Sequence, residues 1–179
     1  MTAEGAEIET TDGGGDINLI SGSEMNINSA NIQSIAPITI DAGQQLNSDG
    51  ASIVATDGGS NVEISSGADA LLSGANVESG SDVEIFSGAD ILLSGANVGG
   101  VNIRLDSSGS MNLNMSTLDV VASWADLSAD LQGNADLFVE NAEFTAAGQP
   151  ATLDYKPISV NVIGEPAIGD TSGVGGGPP

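Results

Sequence analysis

Residues 61–77, NVEISSGADALLSGANV, recur at 82–98 as DVEIFSGADILLSGANV, with fourteen of seventeen positions identical at an offset of 21. A looser third copy, DINLISGSEMNINSANI, occupies 16–32. A chain that repeats at a short fixed period builds like units. Each unit is too small to bury its own apolar face, so stacked neighbours cover one another and bury a continuous core. Each copy divides into two blocks of eight with the form apolar–x–apolar–x–x–(Gly/Ala)–x–x. Two apolar residues spaced by two lie on one face of a short strand. The small residue then lets the chain turn a corner or approach another backbone closely.

Carried along the chain, position one is Ile17, Met25, Ile38, Leu46, Val54, Val62, Ala70, Val83, Ile91, Val101, Met111, Leu127 and Leu137. Position three is mostly aliphatic and decays at Ser48, Thr56 and Ala129. Position six is Gly22, Gly43, Gly59, Gly67 or Gly88, or a stand-in such as Ala30, Ala51, Ala75 or Ala96. Met25, Met111 and Met115 are expected to continue the aliphatic column as adaptable fillers. No Pro falls between Pro37 and Pro150, as a ladder that needs every N–H requires.

The expected fold is therefore all-β, an elongated β-helix over 16–144. Residues 1–15 are expected to be a lead-in or attachment segment, and 145–179, where the rhythm is lost, a C-terminal cap and tail. Two windings fit the counts. Eight plus eight plus five residues make a three-sided coil of 21, which suits a single-chain parallel β-helix. Consecutive eights, as over 38–77, suit three intertwined chains each supplying one side, and the expectation includes such a trimer.

Composition narrows the function. Two Lys+Arg stand against 25 Asp+Glu, a net charge of −23, so phosphate neutralisation on nucleic acid is excluded and an anionic membrane repels the surface. With no His and no Cys, the imidazole and thiolate nucleophile pairs, their metal sites and disulfides are all excluded. A hydrophobic fraction of 40% argues against the disorder that acidity alone suggests. The start, MTAEGAEIETTDGGG, has neither the basic nor the apolar region of a secretory leader, so manufacture without that export route is expected.

TDGGGD (11–16) and TDGGSN (56–61) resemble calcium-binding Gly/Asp turns, but the tandem nonapeptide such turns require is absent and they read as solvated corners. Carboxylate pairs such as Asp82 and Glu84 are candidates for a glycosidase pair. Phe86, Trp124, Phe138, Phe144 and Tyr155 are too scattered for a sugar platform, and the pair reads as a charged outer face. Arg104 and Lys156 are expected to be surface ion-pair partners, and Trp124 to fill a widened turn. No catalytic, cofactor-binding or metal-ligating residue is nominated, and no cofactor is expected.

The eight-residue rhythm over roughly 17–144 resembles the spike β-helix of contractile tails, which includes the cell-puncturing spikes of phages and the VgrG proteins of type VI secretion. NVIGEPAIGD (161–170) resembles the hairpin of PAAR-type tip proteins, without their His ligands. The resemblance implies a homotrimer on the tail axis of a virion baseplate, assembled in the host cytoplasm. One end would dock on a hub or tail-tube protein while the other pierces the host cell envelope mechanically, without catalysis. GGDINL (14–19) is shared with filamentous-haemagglutinin-like adhesins, and the alternative they imply is an extracellular adhesin or matrix-filament subunit with a single-chain parallel β-helix.

Overall fold

In a computed structural model, described for residues 1–10, 15–121, 126–132, 135–156 and 160–173, the chain is all-β, without a helix among those residues. It winds as a parallel β-solenoid of about seven coils, its strands sorted into three sheets of eight, eight and seven. Each coil visits the sheets in fixed order. The first face takes five-residue strands such as Ile17–Ser21, Ile38–Ala42, Val62–Ser66, Val83–Ser87 and Ile103–Ser107. The second takes short ones such as Met25–Asn26, Leu46–Asn47, Ala70–Leu71 and Ile91–Leu92. The third takes four-residue strands such as Asn31–Ser34, Ser52–Ala55, Asn76–Ser79 and Asn97–Gly100. A strand pairs with its counterpart one coil away: Ile17 with Ile38, Ile38 with Val62, Val62 with Val83.

The single-chain, three-sided coil is thus the one that forms, and the third side explains the spacing between repeat copies. Residues after the second block, among them Gln33 and Ser34, complete the third-face strand and do not interrupt the rhythm. Alternation dictates what is buried. Ile38, Ile40 and Ala42 point inward from one strand, Leu46 and Ser48 follow on the second face, and Ala51, Ile53 and Ala55 complete the ring. At about 25 cal/mol per Å² of apolar surface removed from water, each such ring stabilises only the pair of coils it joins, so the column gains strength by length.

Each corner has its own chemistry. Between the first and second faces, Gly22, Gly43, Gly67 and Gly88 stack: a Cβ on Gly43 would sit 2.8 Å from the Gly22 carbonyl carbon, and one on Gly67 or Gly88 would overlap the carbonyl below. Beside them Ser66, Ser87 and Ser107 are buried, and their hydroxyls donate to carbonyls of the corners, Ser87 Oγ to Ala68 O at 2.6 Å. Between the second and third faces, a residue of positive φ recurs at Ser29, Gly50, Gly74, Gly95, Met115 and Asn141. Each is the third residue of a turn closed by the next N–H, as Ala75 N to Leu72 O at 3.1 Å, and a small buried residue follows. The glycines and their alanine stand-ins therefore do different work. Gly stacks at one corner, while Ala30, Ala51, Ala75 and Ala96 are core residues just after the other.

The corner from the third face back to the first varies in length and absorbs the irregularity of the repeat. Three residues (35–37) fill it in one coil, six (56–61) in the next, three (80–82) and then two (101–102) in those that follow. This variation displaces several core assignments. Ile53 and Ala55, not Val54 and Thr56, face inward, because Ile53 pairs with Val77 in register. Ile103 and Leu105, not Val101, open the next first-face strand. Gly59 belongs to the long corner and not to the glycine stack. Met25 and Met111 are buried as expected, whereas Met115 is 66% exposed because it occupies the positive-φ corner.

Pairing also continues beyond 16–144. Glu7–Glu9 pairs with the third-face strand of the first coil, and Thr2 bridges Asn26. At the other end Thr152–Lys156 and Asp170–Gly173 extend the first face and Asn161–Ile163 the second, all parallel. The segment 161–170, expected as a hairpin, instead passes from the second face through an Ile168–Glu143 bridge toward the first. The hairpin present at this end is Ala147–Gly148, both at positive φ, which lays Gln149–Pro150 antiparallel against Thr145 and Ala146. Trp124 and residues 11–14, where a filled turn and a calcium-like corner were expected, lie outside the described residues.

Two outcomes follow from this packing. Gly67→Ala forces backbone against the Gly43 carbonyl and is expected to cost about 1–3 kcal/mol, whereas Gly22→Ala, with nothing within 4 Å, is expected to leave the denaturant midpoint nearly unchanged. Ser48 is fully buried in the second-face column and its hydroxyl has no partner. Ser48→Ala is expected to raise stability by about 1 kcal/mol, read from the same denaturation curves, because an orphaned buried hydroxyl is removed.

Candidate functional site

In a parallel stack in register, outward residues line up in columns as inward ones do, so every outer face is a set of ladders. Corner ladders are hydrogen-bonded. Asn61 Oδ1 accepts from Asp82 N at 3.3 Å, Asn102 Nδ2 donates to Asp82 Oδ1 at 2.8 Å, and Asn102 Oδ1 accepts from Asp126 N at 2.9 Å. Asp69, Asp90 and Ser110 form a second such series, with Asp90 Oδ1 accepting from Ser110 N at 2.8 Å. Part of the acidity is therefore structural: carboxylates serve as acceptors between coils.

Asp82 and Glu84 are placed by this rule. Asp82 is held in the corner ladder, while Glu84 stands on the outer first face between Glu63 and Arg104 in register. Both border a shallow depression of about 180 Å³ whose other walls are Val83, Asn102, Ile103, Arg104, Asp126 and Ser128, with no aromatic among them. At the 56–61 corner, Asp57 closes its own turn: its Oδ1 accepts from Gly58 N at 2.9 Å and its carbonyl from Ser60 N at 3.0 Å. Among the described residues no group of three or more carboxylates is arranged to hold a metal ion.

Both cations lie on the first face. Arg104 donates to Asp106 at 3.2 Å and its guanidinium carbon sits 5.5 Å from the Phe86 ring centroid. Lys156 reaches Asp130 at 3.1 Å. Both are half-exposed ion pairs, as expected from the sequence. Register explains the choice of face: Phe86, Asp106, Asp130 and Lys156 form one column and Glu63, Glu84 and Arg104 the next, so each cation relieves stacked carboxylates. Between the two cations, a depression of about 220 Å³ is walled by Ser128, Ala129, Asp130, Asp154 and Tyr155. It brings both cations, two carboxylates and a phenol to one spot, yet each cation already holds a carboxylate. Sequence reasoning did not unite these residues; the signal available was that Phe86, Asp106 and Asp130 share a column once the coil lengths are known.

No protein-family model, curated protein or solved structure matches this chain.

Arg104→Gln leaves Glu63, Glu84 and Asp106 without their counter-charge, while Asp130 keeps Lys156. It is expected to lower stability by less than about 1 kcal/mol in dilute buffer, since the pair is exposed. Thermal melts at rising NaCl are expected to stabilise the parent chain and to shrink the gap between the two proteins.

Proposed function

We propose that this chain is a non-catalytic structural rod, and that it serves as an extracellular adhesin or matrix-filament subunit built on a single-chain solenoid. The observation that carries the reading is closure. Three faces of the coils come from one chain, strands pair with their counterparts in the next coil of the same chain, and the aliphatic column from Ile17 to Leu153 is buried among the described residues. A backbone so paired resists unfolding and presents regular outer ladders, which suits spacing, load-bearing and surface display better than turnover.

A second reading, the puncturing spike of a contractile tail, is favoured by the eight-residue step from the first face to the second that repeats through the first coils: Ile17 to Met25, Ile38 to Leu46, Val62 to Ala70, Val83 to Ile91, Ile103 to Met111. Under that reading three copies stand side by side, since each already satisfies its own ladders. They carry −69 together, three times −23, and they dock on a hub or tail-tube protein in the baseplate. The terminal hairpin at Ala147–Gly148 would then belong to the cap at the leading end.

Sedimentation and SDS resistance separate the two. The filament reading expects a single-chain mass at micromolar concentration, slow proteolysis across the paired region and no glycan release. An SDS-resistant trimer would move the assignment to the spike, and release of sugars from a polysaccharide would overturn both.

A further inference from the structure

The second face departs from the polar exterior of the other two. Its outward column reads Asn26, Asn47, Leu71, Leu92, Asn112, Phe138 and Ile163 in register, and from Leu71 onward it is apolar except at Asn112. All are half-buried by their neighbours except Ile163, which is 37% exposed. Asn112 does not fill its place in the column. Its Oδ1 turns aside to accept from Ser94 Oγ at 2.9 Å and from Asn114 N at 3.1 Å. A notch of about 170 Å³ remains, walled by Leu92, Asn112 and Phe138 with Asp90 and Ser110 at its rim. Met115, exposed at the adjoining corner, adds a further apolar side chain beside the column. An apolar stripe along a rod otherwise covered with carboxylates marks an interaction surface.

Charge and spacing together define what fits. Asp69, Asp90 and Asp136 stand two residues before Leu71, Leu92 and Phe138 and so edge the stripe on one side; Glu140 stands two residues after Phe138 on the other. Both cations of the chain lie on the first face, so a second copy would bring like charge to like. Along the rod, Leu71 to Ile163 spans four rungs, roughly 19 Å at ~4.8 Å per rung. An α-helix advances ~4.5 and ~6 Å over three and four residues and covers that length in about 13 residues, whereas a strand laid along the axis repeats at ~6.7 Å and loses register within the span. We propose that the second face is a docking groove for an amphipathic helix of a partner protein. Its apolar side chains would lie on Leu71, Leu92, Phe138 and Ile163, with one entering the Asn112 notch, and its Lys or Arg residues would face the flanking carboxylates.

The test uses a fluorescein-labelled 14-residue Leu/Lys amphipathic peptide and a Gly/Lys peptide of equal charge, each titrated against the full chain. The Leu/Lys peptide is expected to bind, and the double variant Leu92→Thr, Phe138→Thr to weaken it at least tenfold. Asp69→Asn with Asp90→Asn, which keep the ladder acceptors, is expected to weaken it several-fold. Glu7→Gln with Glu9→Gln, an equal loss of charge on the third face, is expected to change it less than twofold. Circular dichroism checks each fold, and Leu71→Thr alone replaces the double variant if that one is unfolded. Equal loss from both charge pairs with no effect at the stripe, or no preference over the Gly/Lys peptide, overturns the proposal. So does self-association of the unliganded chain that the stripe variants abolish, since the occupant would then be a second copy.

Discussion

Everything in this molecule depends on in-register pairing between one coil and the next. Once Ile17 sits on Ile38, Ile38 on Val62 and Val62 on Val83, every other position of those coils is committed, inside and out. The core is then a set of columns and not a jigsaw of unlike neighbours. Its members are interchangeable aliphatics, and a change in size at one level is met within the same coil. Where the third face turns inward with Phe144, the first face of that coil has Ala129 in place of the Ile or Leu found in the coils before it. The low aromatic fraction of 3% follows, because a narrow three-sided core leaves room for few such exchanges.

The same rule makes charge a structural problem. Stacking puts like over like at about 4.8 Å, a spacing at which bare carboxylates repel. The chain answers in two ways. At the corners it mixes Asp with Asn and Ser, so that Asp82 lies between Asn61 and Asn102: its N–H donates to Asn61 Oδ1 and its Oδ1 accepts from Asn102 Nδ2. On the first face, where Glu63 and Glu84 do stack, it places one of its two cations next in line. Arg104 is therefore explained by the ladder before any functional role is invoked.

How far the sequence was legible follows from which corners are rigid. The first corner is held in the early coils by stacked glycines and buried serines and the second by a positive-φ turn, so the spacing across them repeats there and the aliphatic alternation and most of the core are readable from the residues, while the choice between one chain and three is not. The third corner has no such constraint and runs from two to six residues. Across it the frame slips: at Ile53–Val54 two adjacent aliphatics leave the inward choice open, and only pairing with Val77 decides it. Met115 was misplaced because its residue type suggests core. Aligning LNMSTL (113–118) with LSGANV (93–98) puts it over Gly95, a positive-φ position that no core residue occupies. The juxtaposition of Phe86, Asp106 and Asp130 was not legible, because it needs the coil lengths and not the motif.

A catalytic centre requires unlike groups to converge on one point, whereas a solenoid in register spreads like groups along a line. A place where a column is broken is therefore where unlike groups meet. Three breaks stand out among the described residues. Ser48 interrupts the aliphatic column of the second face and is sealed in, with no route to a ligand. Arg104 interrupts an acidic column of the first face and is occupied by Asp106 and Phe86. Asn112 interrupts an apolar column on an open face, and its side chain turns away to leave a notch unfilled. Of the three, only the last combines access with an unmet contact, which is why the second face is the place on this rod where a partner gains most by docking.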